Sequence, residues 1–212
     1  IATADQSRGG RPRLKPEPLE LTDDDVLARV CDLLDRKLFE ASVTQDITTV
    51  ASDVHGYEAT VAAVLAALAD IVDCDLVGML LLAQPGTEQA TYLSVAREVT
   101  EQQYREFLAA VAEAAEQATG SVVPVAELNP RVADPEGRLG AVDPDLVEPD
   151  AGMATFLSMP LRAGGRQLGL LALSSGTANA FGESALTTLR LVAPPAAVVV
   201  DHARLAGDRV DA

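Results

Sequence analysis

Seven carboxylates crowd one stretch of the chain: Glu127, Asp134, Glu136, Asp143, Asp145, Glu148 and Asp150. Hard cations take several oxygen ligands, so cation binding is the chemistry such a cluster could do. The spacing does not suit it. No Asp-x-Asp-x-Asp-Gly loop is present, and Pro130, Pro135, Pro144 and Pro149 interrupt the run. A solvated acidic loop is the better reading. The two cysteines, Cys31 and Cys74, lack CxxC spacing, which gives no zinc site and fits a reducing compartment. His55 stands beside a helix break and His202 lies in the closing helix, where a structural or exposed role suits each. No Ser-His-Asp set, P-loop or dinucleotide fingerprint occurs. The residues therefore assign no catalytic group and no metal ligand.

The elements that would hold any site follow from composition and period. The chain has 212 residues with 32 acidic and 16 basic side chains, a net charge of −16. A phosphate backbone repels such a surface, and no basic stripe offsets it, so nucleic-acid binding is not expected. Hydrophobic residues make up 48% but aromatics only 3%, and Trp is absent, so the core must be Ala, Val and Leu. A chain of this length buries about 70% of its unfolded surface and needs no disulfide or metal to fold. No apolar run reaches the roughly 18–20 residues of a membrane span and no signal peptide is visible, so a cytoplasmic location is expected. The chain opens on Ile rather than Met and could be a piece of a longer polypeptide.

Residues 1–22 show no period able to bury a face and read as a tail or linker. Thr22-Asp23-Asp24-Asp25 starts a leading amphipathic helix over 23–56, with Leu27, Val30, Leu34, Leu38 and Ala41 in one stripe. A second helix is expected from Tyr57 to Val72. Leu76 to Ala83 lacks alternation and reads as a central strand covered on both faces. Ala90 to Ala96 is a second strand, with Tyr92 and Ser94 on one face. Thr100 and Gln103 form a capping box for a helix from Glu101 to Thr119, closed by Gly120. Val122 to Val125 reads as a short strand interrupted by Pro124. Residues 127–153 have no period of their own and read as a mobile cover. Strands over Thr155–Arg162 and Arg166–Leu173 flank Gly164-Gly165, a tight hairpin turn. A helix over 183–206 follows, which Pro194-Pro195 should kink or restart.

The closing pieces are Met159-Pro160-Leu161, Gly164-Gly165, Leu168-Gly169-Leu170-Leu171, Phe181 and His202-Ala203-Arg204-Leu205. In that order they resemble the C-terminal half of a GAF domain, the small-molecule sensory module of signalling proteins. Upstream, Cys74-Asp75-Leu76-Val77-Gly78-Met79-Leu80-Leu81 is similar to the family's first strand. The resemblance covers residues 57–206 as one domain. It implies an α/β (α+β) fold: a central antiparallel sheet, terminal helices on one face, and loops or short helices over a ligand cavity on the other. Tyr92, Ser94, Thr155 and Ser158, and more weakly Ser174, are then the hydroxyls that could orient a ligand there.

The resemblance also allows special chemistries to be weighed. Haem-binding members use His, and only His55 and His202 are present. Bilin-binding members use a Cys commonly followed by His, which neither Cys31-Asp32 nor Cys74-Asp75 matches. Cyclic-nucleotide binders carry a longer signature, of which only Phe181 with Gly182 and Glu183 remains. The cofactor is therefore left open. The implied function is a non-catalytic cytoplasmic sensor that binds an unidentified small molecule. It would signal through its terminal helices, as a homodimer, to an output module such as a histidine kinase, as in two-component systems. The alternatives are a ligand-free dimerisation scaffold and a free methionine sulfoxide reductase, which needs two thiols within bridging reach.

Overall fold

The computed structural model describes residues 57–84, 88–140 and 152–207, with isolated helical positions between 37 and 49. The chain divides into two compact units, 1–38 and 39–212. Most of the leading helix expected over 23–56 lies outside the described residues. Lys37, Leu38, Ala41, Ser42, Gln45 and Thr49 are helical.

Within the second unit the order is α1 (Tyr57–Ile71), β1 (Leu76–Leu81), β2 (Ala90–Val95), α2 (Glu101–Thr119), α3 (Val125–Leu128), β3 (Arg131–Ala133), β4 (Thr155–Ala163), β5 (Arg166–Ser175) and α4 (Glu183–Gly207). The sheet runs β3-β2-β1-β5-β4. All neighbours are antiparallel except β3, which lies parallel to β2 at the edge.

Strand β1 sits in the middle and every residue of it is buried, as its unbroken apolar run requires. Alternation then divides its side chains. Val77, Met79 and Leu81 join Leu171 and Leu173 of β5 in a core shared with α1 and α4. Leu76 and Leu80 join Leu170 and Ala172 in a second core under α2. The fold is thus a sheet between two helical layers. At about 25 cal/mol per Å² of apolar surface, each fully buried Leu or Val contributes about 1.5–3 kcal/mol.

Local signals explain the helix ends. The Thr100 hydroxyl accepts from the Gln103 amide at 3.1 Å, and the Gln103 side chain accepts from the Thr100 amide at 2.8 Å. Gly120 closes α2 at φ +72°. In the β4–β5 hairpin Gly164 and Gly165 have φ of +56° and +77°, a pair of values that side-chain-bearing residues adopt only with strain.

Two expectations are corrected. Residues 122–124 form no strand, and Pro124 instead sits at the N-cap of α3, where its missing N–H costs nothing. Part of the segment read as irregular, 127–153, is structured, since it holds the end of α3 and all of β3. The three residues of β3 gain their geometry from the open edge of β2, and no period of their own announces it. Helix α4 is long and apolar enough to cross a membrane. Here Leu189, Val192, Ala196, Ala197 and Val200 pack against the sheet, so it serves as a core helix. It runs without interruption through Pro194 and Pro195.

Candidate functional site

The α2 face is built on one close approach. A Cβ added at Gly78, in the middle of β1, would lie 3.0 Å from the Phe107 ring, so glycine lets that ring approach the strand closely. Phe107 meets Phe156 of β4 edge to face, with centroids 6.0 Å apart. Leu108, Val111, Leu128 and Leu93 fill the surroundings, with Tyr104, Leu139 and Met153 partly buried at the margin.

Carboxylates hold the chain segments at this margin. Glu106 of α2 accepts from the Met153 amide at 2.6 Å and from Gln102 at 2.9 Å. Those bonds, the Gln102 one foremost, hold its carboxyl below the ordinary value. Asp134 accepts from the amides of Leu139 at 2.9 Å and Arg138 at 2.8 Å, which likewise lowers its pKa. This turn brings the Leu139–Gly140 stretch against Val99. Asp75 accepts from the Gly176 amide at 2.6 Å. Among the described residues no group of three or more His, Cys, Asp or Glu side chains could hold a metal. Asp143, Asp145, Glu148 and Asp150 lie outside the described residues, as do His55 and Cys31.

The hydroxyls singled out from the sequence do not converge. Tyr92 belongs to the terminal-helix core, where its ring meets Tyr57 at 6.2 Å. Arg131 of β3 stacks over that ring at 5.4 Å, donates to the Tyr92 hydroxyl at 3.0 Å, and pairs with Glu58 of α1. Burial pushes the Tyr92 and Tyr57 phenols above the ordinary value. Ser94 lies two residues along the same face and is nine-tenths buried. Thr155 donates its hydroxyl to the Thr177 carbonyl at 2.8 Å. Ser158 shares the α2 face with Phe156, two residues away. Ser174 is buried and pairs across the sheet with Leu76 and Phe156.

A sequence model of the GAF domain matches residues 54–201. The chain belongs to the GAF domain family. Among solved structures, the GAF domain from an Acinetobacter phosphoenolpyruvate-protein phosphotransferase is similar. It is 12% identical, the match covers 80% of this chain and 97% of that one, and the TM-score is 0.47. Among curated proteins none matches this chain.

In this GAF domain the groups that bear charge at the core were not visible from spacing alone. Asp201 of α4 is 8% exposed and accepts from Arg166 at 3.1 Å and Arg204 at 3.0 Å. Arg204 stands in the closing His-Ala-Arg-Leu, but its partner one turn earlier carried no signal. Arg131 was missed because β3 itself was unannounced. Cys74 is buried, and burial pushes its thiol up to about 12, which leaves little thiolate at neutral pH. His202 is exposed.

Proposed function

We propose that this GAF domain is a cytoplasmic regulatory module that senses a small molecule at its α2 face and passes the response through its terminal helices. As a member of the GAF family it is a sensory or regulatory module in general terms. The observation that supports the finer reading is the shared sheet. On β1 and β5, side chains that touch the α2 layer alternate with side chains that touch α1 and α4. A ligand that prefers one packing of Phe107 therefore biases the seat of α1 and α4 by displacing the same strands. The margin of that face is held by backbone amides that donate to Glu106 and Asp134, bonds for which a ligand can compete at modest cost.

The packed apolar filling around Phe107 favours a second reading, a ligand-free scaffold that pairs through its terminal helices. The reductase reading draws no support from Cys74, whose thiol is neutral and sits in the terminal-helix core. A thermal-shift panel of nucleotides, organic acids and tetrapyrroles separates the first two readings. A sensor gives at least one compound that raises Tm and slows hydrogen exchange both in α2 and in the last turns of α4. A panel without any such compound, combined with light scattering at twice 22.1 kDa, overturns the sensor in favour of the scaffold. We further propose that an output module of signalling type receives the response.

A further inference from the structure

A cleft of about 230 Å³ opens between the last turns of α1, the end of β2 and the Pro135–Arg138 turn. Ala66 and Ala69 of α1 leave it open by their small size, and Ser94 of β2 lines it. Ser94 is only 9% exposed, and no side-chain hydrogen bond ties its hydroxyl to any described residue. That hydroxyl opens onto the cleft, where an entering ligand can bond to it in place of water.

The walls carry opposite charge. Asp70 and Asp73 stand on the α1 side; Arg97 and Arg138 stand on the other. Asp70 has no ion pair among the described residues. Arg97 pairs with Asp73 and, at 3.7 Å, with Asp75. Arg97 and Asp73 are 56% and 78% exposed, so that pair contributes little and exchanges readily for a ligand carboxylate. Arg138 is aimed by the Ala96 carbonyl and by Glu136. A ligand of either net sign would be repelled by one wall, whereas a dipolar ligand satisfies both. The volume holds roughly ten non-hydrogen atoms at protein-like packing density.

We propose that this cleft is a small-molecule site, separate from the α2 face, for a zwitterion of the free amino-acid class. The carboxylate faces Arg97 and Arg138, the ammonium faces Asp70, and Ser94 Oγ bonds to the ligand between them. Isothermal titration of the whole chain with single free L-amino acids at millimolar concentration tests it. One or more should give saturable heat. The methyl ester and the N-acetyl derivative of that amino acid should each bind at least about tenfold more weakly, since each removes one charge-assisted contact. Arg97→Gln and Asp70→Asn should do the same with an unchanged Tm, both side chains being exposed. Ala66→Trp, at an exposed position, should abolish binding by filling the cleft. No saturable heat from any amino acid, or equal binding by the charge-masked derivatives, overturns the proposal. A binder that survives Ala66→Trp binds elsewhere, which overturns the cleft and leaves the α2-face sensor standing.

Discussion

The two faces of the sheet are both apolar, yet they are closed by different means. On the terminal-helix face Val61, Val64, Leu65 and Leu68 of α1 meet Leu189, Val192, Ala196 and Ala197 of α4, all fully buried. Burial raises the pKa of Tyr57, Tyr92 and Cys74 there, and the one buried carboxylate described on α4, Asp201, is paired with Arg166 and Arg204. On the α2 face the centre rests on Phe107 over Gly78, and the margin is tied by carboxylates that accept backbone amides. Burial has no substitute once lost, while a carboxylate–amide bond is exchangeable with water. The difference teaches which side can move: the α2 margin can rearrange while the terminal-helix core stays intact.

The strongest test of that contrast is a pair of truncations. Phe107→Ala should cost about 3–5 kcal/mol and Leu189→Ala about 2–5 kcal/mol in denaturant unfolding. Their hydrogen-exchange patterns should differ: the first speeds α2 well beyond α1 and α4, the second speeds all three together. Equal acceleration everywhere in Phe107→Ala would break the distinction between the faces.

A substitution in the hairpin sharpens it from the neutral side. Replacing Gly164 and Gly165 together by Val forces two β-branched residues to positive φ and should cost about 2–4 kcal/mol. Because β4 and β5 serve both faces, exchange should rise on both. An unchanged melting temperature would mean that the turn does not set the register.

The pH response should separate the faces next. Cys74, Tyr57 and Tyr92 have folded pKa values above their ordinary ones. Their contribution is complete below the unfolded values, 9.0 for the thiol and 10.0 for the phenols, and is lost as pH rises through the folded values. Denaturant midpoints should therefore fall steadily above about pH 9, together with the near-ultraviolet signal of the tyrosines. A flat profile to pH 11 would show these groups to be wetter than they look.

The smallest effect belongs to the α2 margin in acid. Glu106 and Asp134 have lowered folded pKa values. Their bonds are complete above the ordinary values of 4.5 and 3.8 and are lost as pH falls through the folded ones. Amide resonances of Arg138, Leu139 and Met153 should shift in that range while those of β1 hold still. Asp134→Asn should reproduce part of this shift at neutral pH. Simultaneous shifts in β1 would put the margin and the core in one cooperative unit.

How much of this was legible in the sequence follows from what is local. The capping box at Thr100, the αL closure at Gly120 and the Gly164-Gly165 turn depend on neighbours within four residues, and each stands where the sequence placed it. The buried run of β1 was equally plain, because a strand with no polar side must be covered twice. Strand β3 was not legible, since three residues gain their pairing only once β2 presents an edge. The hydroxyls were chosen by residue type alone. Which face each takes depends on strand parity against a partner, and parity separates Tyr92 and Ser94 from Ser158.

The Gly164-Gly165 turn has a consequence for the order in which the chain assembles. It joins Ala163 directly to Arg166, so β4 and β5 can zip from adjacent residues with almost no loop to close. The central pairing of β1 with β5 instead brings together Leu76 and Ser174, nearly a hundred residues apart. Folding rates fall as such separations grow, so the hairpin should form early and present β5 as the template on which β1 docks in the slow step. During that interval β5 offers a bare apolar edge of Leu168, Leu170, Leu171 and Leu173, the stretch where a second unfolded copy competes with the chain's own β1 for pairing.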